Sequence, residues 1–260
     1  MTSSPPRISF VFAATTVGLV VLAGVHCDDE VVARAPVSFG VAVRTRPPAG
    51  ATSLGWSVTL DRAFAALGPV RWFEADPPMA RVRRRFALGV AFAHPGHYEP
   101  GEGLVSVNAI RVVDLLAPGG TELSPATGYS GDARSASVGL FMPGSTLGPS
   151  AATLDGKAVR LRGSARRGDA VVYFDGGVTP NTEINGISAR ARLEGSAGRW
   201  EVTLDLAVWL DRVDFAALPV SSESAPVAFT PGNAATTGLY RGVSSPTAWS
   251  FAPVPFDRDR

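Results

Sequence analysis

Arg199-Trp-Glu-Val-Thr-Leu-Asp-Leu-Ala-Val-Trp-Leu-Asp211 is the stretch whose reading decides the fold class. Trp200, Val202, Leu204, Leu206, Val208 and Leu210 fall on one side of an extended chain; Glu201, Thr203, Asp205, Ala207, Trp209 and Asp211 fall on the other. Successive side chains of a strand point to opposite faces, so this alternation predicts one half-buried strand over 199–211. The same period recurs on the N-terminal side. Phe39, Val41 and Val43 alternate with Gly40, Ala42 and Arg44, and Trp56, Val58 and Leu60 alternate with Ser57, Thr59 and Asp61. Val105, Val107 and Ala109 alternate with Ser106, Asn108 and Ile110. Val159 and Leu161 alternate with Arg160 and Arg162, and Ala170, Val172 and Phe174 resume beyond Arg166-Arg167-Gly168-Asp169, which reads as a β-hairpin with a Gly-containing turn.

These patterns, with 28 Gly and 21 Pro in 260 residues, suit short strands joined by turns. They predict an all-β protein, an antiparallel β-sandwich over 37–253, with a β-barrel as the alternative. Few helical turns are expected. Asp61–Leu67 and Asp211–Leu218 each carry an Asp start and apolar spacing, which fits one or two turns. Ala117–Arg134, Pro143–Gly156 and Ser221–Gly238 read as long loops, with 143–156 as the boundary if the domain has two β halves, and 254–260 reads as a polar tail. Trp56-Ser-Val-Thr-Leu-Asp61 matches Trp200-Glu-Val-Thr-Leu-Asp205, and Asp61–Leu67 resembles Asp211–Leu218. Duplication would explain the likeness, but period-two patterns match cheaply, and chance is the favoured reading.

The first thirty residues bear on location. Met1–Arg7 is short and polar with one positive charge; Ile8–Val25 is uncharged; Cys27 and the acidic run Asp28-Asp29-Glu30 follow. A basic start, an apolar centre and small residues before a break mark an export signal. Residues 1–30 resemble the export signal of bacterial lipoproteins, in which a small residue stands before a Cys that is then lipidated. Leu22-Ala23-Gly24 supplies the small residues and Cys27 is the single cysteine, with Val25 and His26 between them. The resemblance implies a signal over 1–27, lipidation of Cys27, a tether over 28–36 and attachment to the membrane of the cell envelope, at the periplasm or outer surface. Cleavage after Ala23 with plain secretion stays open. So does an uncleaved anchor, since about 20 apolar residues span a bilayer.

Composition narrows the function. Arg7 is the one basic residue before Cys27, and all 23 acidic residues follow it, so the remaining chain is close to neutral. That disfavours an electrostatic nucleic-acid binder. One cysteine allows no internal disulfide. Gly-x-Ser-x-Gly elbows and Lys-Ser/Thr phosphate loops do not occur.

Three groups carry candidate chemistry. Beyond the signal the only histidines are His94 and His97, at the ends of His-Pro-Gly-His. Pro then Gly is a type II turn signature, which brings the end Cα atoms within about 7 Å. Two imidazoles there can share a transition metal, with Glu99 or Glu102 as a further ligand; copper is favoured slightly over zinc on affinity order. Arg81, Arg83 and Arg85 share one face if Arg81–Arg85 is a strand, and can hold a carboxylate or phosphate; a solvated edge strand is the commoner use of such charge. Asp175, Asn181, Glu183 and Asn185 offer oxygen ligands in a Gly-rich stretch, though turn chemistry explains the same residues. The five Trp residues are candidates for a sugar platform, Trp209 above all, since it lies opposite the apolar face. The expectation is an exported envelope protein that binds a metal or small ligand without catalysis. The alternatives are a secreted sugar-active or hydrolytic enzyme using scattered carboxylates, and a structural cell-surface protein.

Overall fold

The computed structural model describes residues 34–77, 103–195 and 198–254. These belong to one compact unit that begins at Arg34. The unit is built on a mixed sheet that does not close into a barrel, with thirteen strands among the described residues. They are β1 Pro36–Arg46, β2 Ser57–Phe73, β3 Gly103–Val107, β4 Arg111–Asp114, β5 Thr121–Glu122, β6 Ala126–Tyr129, β7 Gly131–Leu140, β8 Val159–Arg167, β9 Ala170–Val178, β10 Thr182–Leu193, β11 Arg199–Asp205, β12 Val227–Ala228 and β13 Trp249–Val254. Two helices, α1 Leu206–Leu210 and α2 Ala234–Val243, join them. Among the described residues no helix is long and apolar enough to cross a membrane.

β2 is the spine. Its first half pairs antiparallel with β8, from Ser57↔Arg166 to Ala65↔Val159, and its second half pairs on that edge with β7. The opposite edge carries β4 and then β3. Between the halves stands Gly68 at φ 122°, where a Cβ would lie 2.2 Å from the Ala109 carbonyl oxygen. Only glycine permits that φ and that approach. β1 also serves two neighbourhoods: Pro36–Phe39 pairs with β6, while Gly40–Arg46 runs parallel to β11, which pairs antiparallel with β13.

The β11–β13 layer closes over the second half of β2 through aromatic rings. Trp72 meets Phe39 at 5.4 Å, Trp200 at 5.7 Å and Phe251 at 5.5 Å between centroids, all edge to face. Such pairs contribute about 0.5–1.5 kcal/mol each beyond the area they bury. Phe174 and Phe215, 5.1 Å apart, extend the core beneath β9. On α2, Gly242 lets the helix approach α1, because a Cβ there would lie 2.3 Å from the Trp209 carbonyl oxygen.

The all-β expectation holds, as does the hairpin: β8 and β9 are joined through Gly168-Asp169, with Arg167 opposite Ala170 and Gly168 at φ 57°. The structure departs from expectation in five places. The barrel alternative fails because the sheet stays open. The sheet is not purely antiparallel: β1 with β11 and β9 with β12 are parallel pairs. The strand expected over 199–211 ends at Asp205, whose carboxylate accepts from the Ala207 amide at 2.9 Å and caps α1. Asp61–Leu67 is not helical but part of β2, whereas Asp211–Leu218 does contain a short 3-10 turn, Phe215–Ala217. Finally, the long loops hold structure. Ala117–Arg134 contains β5 and β6, Ser145–Leu154 winds as a kinked 3-10 segment, and Ser221–Gly238 contains β12 and the start of α2. Asn233 caps α2 by accepting from the Ala235 amide at 2.8 Å, an Asx cap ahead of Ala-Ala inside a stretch whose composition reads as loop.

Candidate functional site

The outer face of β4–β2–β8–β9 carries a charged cleft, because the inward positions of these strands are apolar. Ala63, Ala65, Leu161 and Phe174 are buried, so the alternate positions Arg62, Phe64, Arg160, Arg162 and Asp175 must face outward. Register fixes their neighbours. Arg62 lies opposite Arg162, which in turn lies opposite Asp175. One step along, Asp114 lies opposite Phe64, and Phe64 opposite Arg160. The Ser145–Leu154 segment roofs this face, anchored by Leu154, which is wholly buried. The cleft, open to solvent on one side, holds about 510 Å³, within the range of small-ligand sites.

Arg160 holds the cleft together. Its Nε donates to Asp175 Oδ1 at 2.8 Å and its Nη2 to Asp175 Oδ2 at 2.9 Å, a two-pronged charge-assisted pair. Its Nη1 donates to the Thr153 carbonyl at 3.3 Å and so ties the roof to the sheet. The hydrogen bond to Asp175 raises the Arg160 pKa, against a lowering by burial, and the charges of Asp175 and Asp155 raise it further. The guanidinium therefore stays charged across the physiological range. Arg62 and Arg162 differ: among the described residues neither side chain takes an ion pair or a hydrogen bond. Leu116 and Phe64 give the cleft an apolar patch, and Asp61 and Asp114 line it too.

A second charged concavity surrounds Asp76, only 8% exposed, with Arg134 Nη1 at 3.7 Å and Arg190 Nη2 at 3.6 Å. Here the carboxylate is already surrounded by guanidinium groups, and the arrangement is an internal tie between the end of β2 and the β7–β10 pair.

His94, His97, Glu99, Glu102, Arg81, Arg83, Arg85 and Cys27 all lie outside the described residues. Among the described residues no group of three or more His, Cys, Asp or Glu is placed to hold a metal ion. The oxygen ligands of the Gly-rich stretch are dispersed. Asp175 is engaged by Arg160; Glu183 pairs with Arg71 and also accepts from Ser137 Oγ at 3.4 Å; Asn181 occupies a left-handed turn position. The sugar-platform reading of the tryptophans fails: all five rings are buried, none more than 5% exposed. Trp209 looked outward only because a strand was assumed. On α1 it follows Leu206 by three residues and joins the same buried face. The cleft escaped sequence reading because Arg160 and Arg162 each look like an ordinary solvated strand position and Arg62 falls in a segment expected to form helical turns. Their convergence depends on pairing register between strands about a hundred residues apart. Comparison with known proteins finds no matching family model, no matching curated protein and no matching solved structure, so the functional reading rests on this chain's own residues.

Proposed function

We propose that the chain is an exported protein of the cell envelope, held at the membrane by a lipid on Cys27, whose β domain binds a ligand without transforming it. The observation that carries this reading is the order of the chain: a basic start, an uncharged Ile8–Val25, small residues and Cys27, followed after a few residues by a compact β unit from Arg34. Acyl chains on Cys27 would hold the domain at the membrane, each buried CH₂ contributing about 0.8 kcal/mol. The non-catalytic part of the reading is supported by the missing nucleophile motifs and by the scarcity of His, the usual proton shuttle near neutral pH. Mass spectrometry of the N-terminus from isolated membranes tests the anchor. A diacylated or triacylated Cys27 is expected; an unmodified chain starting at Gly24 removes it. Within the same reading, His94 and His97 with Glu99 or Glu102 remain a proposed copper or zinc site. Titration of the native chain and a His94→Ala, His97→Ala double variant tests it: equal weak binding by both leaves the turn without a ligand.

A further inference from the structure

We infer that the cleft between the β2–β8 face and the Ser145–Leu154 roof is a binding site for a small organic anion, whose carboxylate or phosphate sits between Arg62 and Arg162. This deepens the ligand-binding part of the proposed function and is independent of the anchor.

Three observations carry it. The first is the juxtaposition of like charges. Arg62 and Arg162 are register partners on adjacent antiparallel strands, where side chains stand about 5 Å apart and like charges repel. The second is that neither is neutralised. Asp175, directly opposite Arg162, is nearest in register, yet Arg160 occupies both of its oxygens. Two guanidinium groups thus face one cavity with their donors unused, and a planar or tetrahedral oxyanion is the partner that satisfies both. The third is partial cover. Arg62 is exposed but Arg162 is half-buried, and the segment beside it is fastened to the sheet through Arg160 and Thr153, so an anion on the Arg162 side is partly shielded from screening salt.

The rest of the cleft narrows the ligand. Asp61 and Asp114 line it and repel a polyanion. They accept hydrogen bonds, which favours a ligand with one anionic group and donors such as hydroxyls elsewhere. Phe64 and Leu116 can cover its carbon skeleton. The class is therefore a hydroxylated organic acid or a phosphate monoester of similar size.

The test uses the full chain in detergent, titrated calorimetrically with gluconate, glycerol phosphate and inorganic phosphate at low ionic strength. Saturable binding of gluconate or glycerol phosphate, weakened by added salt, is expected, and the stronger of the two identifies the anionic group. Arg62→Gln and Arg162→Gln should each weaken it at least tenfold, as loss of a charge-assisted pair does. Arg241→Gln, which removes the same charge from α2, should not. Without ligand, both cleft variants should melt about 1–3 °C higher than the parent, because a like-charge pair is relieved. No saturable binding of any probe, or equal binding by the Arg62→Gln, Arg162→Gln double variant with its melting point retained, overturns the inference. A lipidated Cys27 alongside such a result would leave the anchor standing and remove only the site.

Discussion

Trp56–Leu67 and Trp200–Leu218 begin with nearly the same residues and end in different structures. Trp-x-Val-Thr-Leu-Asp enters a strand in both. After Asp61 the chain stays extended through Phe73; after Asp205 it coils at once into α1. The difference lies in the neighbours. At Asp61 the ladder with β8 slips by one residue and resumes at Arg62, and β4 joins the other edge from Phe64. At Asp205 both ladders run out: β1 ends at Arg46 before Pro47-Pro48, which bring no N–H, and β13 begins at Trp249 opposite Leu204. A backbone that loses both partners must satisfy its own amides and carbonyls, and the Asp205 carboxylate starts that process by capping the helix.

The largest expected effect tests the helical end of this contrast. Trp209→Ala should cost about 3–5 kcal/mol, as removal of a buried aromatic does, because the ring is wholly buried 5.9 Å from Trp249. Chemical denaturation measures it. A loss near zero would mean that 206–211 is a strand with Trp209 facing out, and the contrast would collapse.

Proline scanning probes the aligned positions Ala66 and Ala217. In β2 the Ala66 amide donates to the Ala158 carbonyl at 2.7 Å and lies within a paired strand. Ala66→Pro should therefore cost about 3 kcal/mol or more. At exposed Ala217 the amide donates to the Asp214 carbonyl at 3.2 Å in a single 3-10 turn, and Ala217→Pro should cost about 1 kcal/mol, the worth of an ordinary hydrogen bond. Equal losses in thermal unfolding would show that the two segments are not held differently.

The smallest expected effect separates the two aspartates. Asp205→Ala should lose about 0.5–2 kcal/mol with the helix cap, and Asp61→Ala, exposed at the slip in the ladder, should stay within about 0.5 kcal/mol. Unfolding midpoints of the two single variants decide it, and reversal of their order would assign the cap no role in ending β11.

Much of the fold is legible in local pattern. Val159, Leu161, Val172 and Phe174 are buried where alternation puts them, and the β8–β9 hairpin closes at the glycine its sequence offers. These features depend on residues within a few positions of each other, which is the range over which side-chain direction and turn preference act. The parallel β1–β11 pair is not legible, because it joins Gly40 to Arg199 and nothing in either segment encodes which distant strand it meets. The candidate site shares that limit: Arg62 and Arg162 are separate polar positions until β2 and β8 pair.

The sequence by itself determined an all-β chain, the inward faces of several strands and the turn of the β8–β9 hairpin, and its first residues resemble an export signal. Only the tertiary structure decided where strands stop, which become neighbours and which charges converge. The physical reason is that alternation and capping act within a segment, whereas a strand's length and the company its side chains keep are set by the hydrogen-bonding partners that flank it.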